Sequence, residues 1–373
     1  MYQATLSRGF WRKCSANFLV CVASITKFPI EKYAIFLANT HFSRNAIWKD
    51  CATMEIKLKK LLITTITLVT FSALAYAQKP STYRVLGADK KHVVIVDPSG
   101  KMEWEMPNPE AREIHDIQSL PNGNVLYQTG YTTVVEVNKD KQIVWKHESK
   151  PTPENKTRVE IHSYQRLKNG LTMISESGNG RIIEVDKDDK IIHEMKLTLE
   201  SPNPHRDTRM VRKLDNGNYL VCQEGEGKVI EYDKTGKIVW KYVMELGGRP
   251  RSDGHGPEGH GNEVFGAIRL KNGNTMLAGG NNNRVLEVTP AGKIVWSIDQ
   301  KELPGITLAW VTTLIQLPNG NLIVGNTHAG PENPQMFEVT RDKKVVWQFK
   351  NMEIFGNNLV AATVVNLKGK IIH

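Results

Sequence analysis

The chain has 373 residues, 40% of them hydrophobic and 24% charged, a balance that excludes a disordered or fibrous protein and allows a large buried core. Its net charge of +10 is unevenly placed: residues 1–53 carry +5, residues 54–77 carry +2, and residues 78–373 carry +3. The basic character belongs mostly to the first 77 residues, so charge gives no argument for nucleic-acid binding.

Residues 1–53 hold Cys14, Cys21 and Cys51 and no repeated pattern. Met54 opens a second beginning. Lys57, Lys59 and Lys60 precede an apolar run, 61–74, and then Ala75-Tyr76-Ala77. Basic, apolar, then small-x-small is the order of a secretory signal peptide, here cut before Gln78. The run is shorter than the ~20 residues a membrane-spanning helix needs. The expectation is a spurious extension over 1–53, a leader over 54–77, and a mature domain over 78–373 in the periplasm or outside the cell, with no membrane span. Of the four cysteines only Cys222 follows Gln78, so no disulfide can form within the mature chain.

The mature segment is organised by Leu120-Pro121-Asn122-Gly123-Asn124. The same phrase recurs at Leu167, Leu214, Leu270 and Leu317, at intervals of 47, 47, 56 and 47 residues. Asn-Gly between apolar runs marks a hairpin, with positive φ expected at both turn residues. Each copy then reads as four short antiparallel strands, for example 116–120, 125–129, 134–137 and 142–146. A unit of four strands in ~45 residues is a β-propeller blade. Residues 83–88, 92–97 and 101–105 supply three strands of a further blade, and 359–367 is a lone strand at the other end. A closed ring leaves no unpaired edge. The fold class is therefore all-β, a six-bladed propeller whose first blade is completed by the C-terminal strand.

The recurring Trp104, Trp145, Trp240, Trp296 and Trp347, with His193 in one copy, read as packing between blades. So do Glu136, Glu184, Glu231, Glu287 and Glu338, which lie in third strands. Chemistry is expected at the mouth formed by the inter-blade connectors. His115 and His162 stand five residues before their anchor leucines, and Arg209, Phe265 and Thr312 hold that place in the next three copies. His205 and Arg206 lie in a connector. The longest connector, nine residues longer than the repeat requires, carries Arg249, Arg251, Asp253, His255 and His260, and His328 lies in a further loop. The candidate catalytic residues are His115, His162, His205 and Arg209. The candidate ligand-binding residues are Arg206, Arg249, Arg251, Asp253, His255, His260, Trp310 and His328. Equivalent ring positions should point into one volume. His255, Glu258 and His260 have metal-ligand types without a zinc spacing, so no metal and no cofactor is expected. The expected partner of this monomer is a small polar or anionic molecule, or a glycan.

The segments 231–240 and 287–296, which share Glu, Gly-Lys-Ile-Val and Trp, resemble the quinoprotein-like (PQQ-like) propeller repeat. The run 115–124, His-Asp-x-x-x-Leu-Pro-Asn-Gly-Asn, is similar to the bacterial arylsulfotransferases. That resemblance implies an exported six-bladed propeller using channel-facing His and Arg for sulfuryl transfer. It puts His115 on the motif and a fainter copy at His162. A neutral His would attack sulfur, Arg209 or Arg249 would hold the sulfonate oxygens, and a second His would handle the acceptor proton. The other reading is a non-catalytic propeller that binds a glycan or a protein, in which an exposed Trp310 would suit a sugar ring.

Overall fold

A computed structural model describes residues 83–89, 91–365, 367 and 372. The expected extension and leader lie outside them. Six four-stranded antiparallel sheets form the ring. Blade one holds β1 (Arg84–Ala88), β2 (His92–Val96) and β3 (Met102–Pro107), and its innermost strand is the C-terminal Ala361–Val365. That strand pairs with β1 from Ala88↔Ala361 to Arg84↔Val365, so both chain ends build one blade as expected. Ile372 adds a bridge to Gln316 of blade six.

The hairpin turns differ in detail from the expectation. Among the residues of the Asn-Gly turns only the glycines have positive φ, between 84° and 88° at Gly123, Gly170, Gly217, Gly273 and Gly320. Leu120 N–H bonds Asn124 O and Gly123 N–H bonds Leu120 O, which gives a three-residue loop with a left-handed third residue. Asn122 stays right-handed because its side chain accepts the Asn124 N–H at 3.0 Å.

Second strands such as Tyr219–Gln223 are buried at every position, because both faces of a blade press on a neighbour. Outer strands such as Ile143–Glu148 are largely exposed. A bulge follows each repeating Glu and sets it opposite a Trp, as at Glu136↔Trp145 and Glu287↔Trp296, or opposite His193 in the case of Glu184. The Trp side chain then reaches the next blade. Trp145 Nε1 donates to Asp186 O (3.2 Å), Trp240 to Pro290 O (2.8 Å) and Trp296 to Arg341 O (3.0 Å). Next-blade arginines cover the rings, with Arg166 5.3 Å, Arg269 4.9 Å and Arg341 4.4 Å from the centroids. The same arginines pair with Glu136, Glu231 and Glu287, whose carboxylates also accept from Asn124, Asn218 and Asn274 at the hairpin turns. Repeating Trp and Glu thus form one clamp that ties a turn, a bulge and the neighbouring blade. One helical turn, α1 (Met352–Phe355), lies in the connector to the closing strand.

Candidate functional site

Innermost strands begin at the connector side, and this brings the candidate histidines together. His115 lies just before Ile117–Ser119, and His162 lies in Glu160–Arg166 where the register shifts between Ile161 and Ser163. Their ring centroids are 4.8 Å apart, and His205 is 5.6 Å from His162 and 6.4 Å from His115. Phe265, Trp310 and Val360 pack as an apolar cluster beside them. His255 and His328 stack on Trp310 at 4.6 and 5.4 Å. Trp310 is itself 6% exposed, which corrects the expectation of an open aromatic surface: three neighbouring rings cover it.

Burial divides the cluster. His115 and His162 are sealed, at 3% and 1% exposed, and only the half-buried His205 of the three reaches outward. His162 Nδ1 is 2.8 Å from Thr208 O and 3.2 Å from Arg209 Nη1. Its Nε2 is 3.0 Å from Glu160 Oε2. His205 Nδ1 lies 2.7 Å from the same oxygen. Arg158 occupies the other oxygen, Oε1. Glu113 Oε2 is 3.5 Å from His115 Nε2 and 3.5 Å from His205 Nε2. Arg209 donates to His205 O (2.5 Å) and pairs with Glu224 (2.8 Å).

Burial, and then the Arg209 charge, push the His162 imidazole down to about 4 against the pull of Glu160. Burial and Arg209 likewise hold His115 well below its ordinary value. Burial alone would raise the Glu160 carboxyl, but hydrogen bonds from His162 and His205 outweigh it and hold it well below the usual carboxylate range. At neutral pH both sealed rings are therefore neutral and Glu160 is ionised. His115 Nδ1 is buried without a hydrogen-bond partner among the described residues.

The insertion is a pinned ribbon rather than a loose loop, since Ser252 and His260 exchange backbone bonds at 2.8 and 2.9 Å. His260 is structural: it is buried, with its nitrogens against Asn283 Oδ1 (3.1 Å) and Leu246 O (2.7 Å). The arginines are less available than expected for a bare anion cradle. Arg206 and Arg251 share Glu263 at 2.9 and 2.6 Å, and Arg249 reaches Asn283 at 3.3 Å. A cavity of about 250 Å³ opens between the ribbon and the connector, lined by His205, Arg206, Arg209, Arg251, Asp253 and His255 with Glu224 and Glu263. A wider cavity, about 710 Å³, runs from the Asn-Gly turn side up to His115. Its charged groups form structural pairs: Asp116 is held by Arg212 at 2.7 and 2.9 Å, Arg166 by Glu136, and Lys213 by Glu184. The smaller cavity has the more reactive wall.

The carboxylates went unread in the sequence, although a signal exists. Glu113, Glu160, Asp207 and Glu263 each stand seven residues before an anchor leucine. Glu113-x-His115 and Glu160-x-His162 repeat one pattern, and residues two apart in a strand share a face.

No known family matches the sequence, and no curated protein matches it. Solved structures do. A Bacteroides caccae protein of unknown function superposes with a TM-score of 0.63 at 20% identity, over 77% of this chain and 100% of that one. A Staphylococcus aureus virginiamycin B lyase gives 0.47 at 13%, over 72% and 84%, and BamB from Moraxella catarrhalis 0.41 at 11%, over 74% and 75%. The first of these likenesses establishes the shared fold.

Proposed function

We propose that the connector-side mouth binds a small polar ligand, with His205 as the group that meets it. The observation that carries this reading is the position of His205. It is the exposed imidazole beside the sealed His115, His162 and Glu160, and it lines the 250 Å³ cavity. Glu160 orients its ring, the arrangement that lets an imidazole take or give a proton. Guanidinium and carboxylate groups share the cavity wall. A neutral polyhydroxylated or zwitterionic ligand suits that wall better than a simple anion, which Glu224 and Glu263 would repel. Residues 54–77, read as a leader, would put this mouth outside the cytoplasm.

Sulfuryl transfer is the second reading, favoured by Arg206, Arg209 and Arg251 standing around the same imidazole. It predicts a sulfo-histidine adduct on His205 after incubation with an aryl sulfate. The test begins with a mass-spectrometric screen for a molecule retained by the purified protein. His205→Ala should then lower its affinity at least ~10-fold, the worth of one oriented polar contact, while the protein stays folded. Undiminished affinity in a folded His205→Ala protein would sink the assignment. A retained protein or glycan with no dependence on His205 would favour a non-catalytic surface.

A further inference from the structure

We propose that Glu160, His162 and His205 form a binding site for a divalent first-row transition-metal ion of the zinc type. This goes beyond the ligand reading of the mouth, because the protein groups alone would hold the ion. One donor atom from each of the three lies within 4.8 Å of the others, and among the described residues this is the His/Cys/Asp/Glu group with such spacing. Two imidazoles and one carboxylate are a donor set for zinc and its neighbours, with further positions left open for water or ligand. Ligand bonds of about 2.0–2.2 Å put neighbouring donors roughly 3–3.5 Å apart. The Glu160 oxygen lies 3.0 Å from His162 Nε2 and 2.7 Å from His205 Nδ1, and with all three donors within 4.8 Å a movement of about 1 Å by the half-buried His205 brings them onto one ion.

The surrounding bonds point the same way. A metal-binding imidazole usually donates its other N–H to a carbonyl or carboxylate. His162 has Thr208 O at 2.8 Å for that purpose, and His205 Nε2 has Glu113 Oε2 at 3.5 Å. Arg158 takes the second oxygen of Glu160, leaving one oxygen for the ion. With the ring proton on Nδ1, where Thr208 O accepts it, the Nε2 lone pair of His162 is free to join Glu160 Oε2, 3.0 Å away, on one cation. Arg209 lies against the rings, but Glu224 neutralises it at 2.8 Å. Glu160 and His162 are buried and fixed, and His205 opens the site to the cavity. The sequence expectation of no metal weighed only His255, Glu258 and His260, and the fold commits His260 to Leu246 and Asn283 instead.

The test is calorimetric titration of chelator-treated full-length protein with Zn²⁺, together with Co²⁺ absorption spectroscopy. We expect one Zn²⁺ per chain, a Zn²⁺-dependent rise in melting temperature, and visible d–d bands with Co²⁺. His205→Ala should keep the fold and lose at least ~10-fold in Zn²⁺ affinity, and Glu160→Gln on the order of 100-fold. His193→Ala, in an outer strand, should bind as the parent does. A folded parent protein that takes up no Zn²⁺, or undiminished binding in both site variants, overturns the metal centre. Retention of a small polar molecule in that same protein would leave the mouth reading standing. Stoichiometric, His205-dependent Zn²⁺ binding with no retained molecule would support the centre and remove the ligand reading.

Discussion

His162 is enclosed by Glu160, Thr208 and Arg209, so its removal leaves a buried void and one of two buried acceptors, Glu160 or Thr208 O, short of a donor. From sequence alone, with the rings taken as reachable from solvent, His162→Ala should cost ~1 kcal/mol or less. The sealed geometry raises this to about 2–4 kcal/mol. His205→Ala, half exposed, should stay near ~1 kcal/mol. Denaturant unfolding of the two variants checks the order, and equal losses would contradict it. A second buried pair sets the pH dependence. Burial would raise the Glu176 carboxyl, but the His147 imidazole 4.0 Å away and the bonded Arg181 guanidinium bring it down to about 2. Burial pulls His147 down, yet the Glu176 carboxylate and the bonded Asp189 hold it above its ordinary value. The Glu176 contribution is complete above the unfolded value of about 4.3 and is lost as pH falls toward 2. The His147 contribution is complete below about 6.5 and is lost as pH rises through its raised folded value. The stability difference between the parent and Glu176→Gln should therefore shrink by about 2–3 kcal/mol as pH is lowered from about 5 to 2. A difference independent of pH would mean that the pair does not titrate with folding.

At the scale of one blade, the Glu clamp is the unit to break. Glu287 is buried and accepts from Asn274 (2.7 Å) and Arg341. Glu287→Ala strands all of these groups and should cost about 2–4 kcal/mol. Asn319→Ala loses one exposed turn bond, Asn321 N–H to Oδ1 at 3.0 Å, and should cost ~1 kcal/mol or less. Chemical denaturation ranks them, and a clamp loss below the turn loss would refute this account. The repeating Glu and Trp were legible as structural residues because both recur with the blade. Their partners were not: Arg166, Arg269 and Arg341 come from the next blade, 30, 38 and 54 residues away. The φ pattern of the turn was misread because the Asn side chain supplies a bond that the dipeptide alone does not show.

At the scale of the ring, closure was legible because the first unit lacks an innermost strand and the last segment is a strand without a unit. Deleting 361–365 uncovers β1 along its whole length and strips Val364 from the core it shares with Val85 and Leu317. The expected outcome is aggregation or loss of the cooperative transition, read by light scattering and thermal melting. A soluble truncation with an unchanged melting temperature would show that closure contributes nothing. The candidate site was half legible. The histidines stood out by residue type at matched positions. Glu113, Glu160 and Glu263 did not, since acids in exposed connectors are common and only the ring brings them inward. The pairing of Glu160 with His205 spans 45 residues and two blades, which no local pattern announces.

The strand that completes blade one is also synthesised long after its three partners. Roughly 280 residues separate β1 from Val365, and at about 5–20 residues per second the ribosome needs roughly 15–60 s to make them. For that interval the first three strands wait with an open flank. Synthesis of Ala361–Val365, rather than the local folding of any blade, sets the earliest moment at which the molecule becomes a ring.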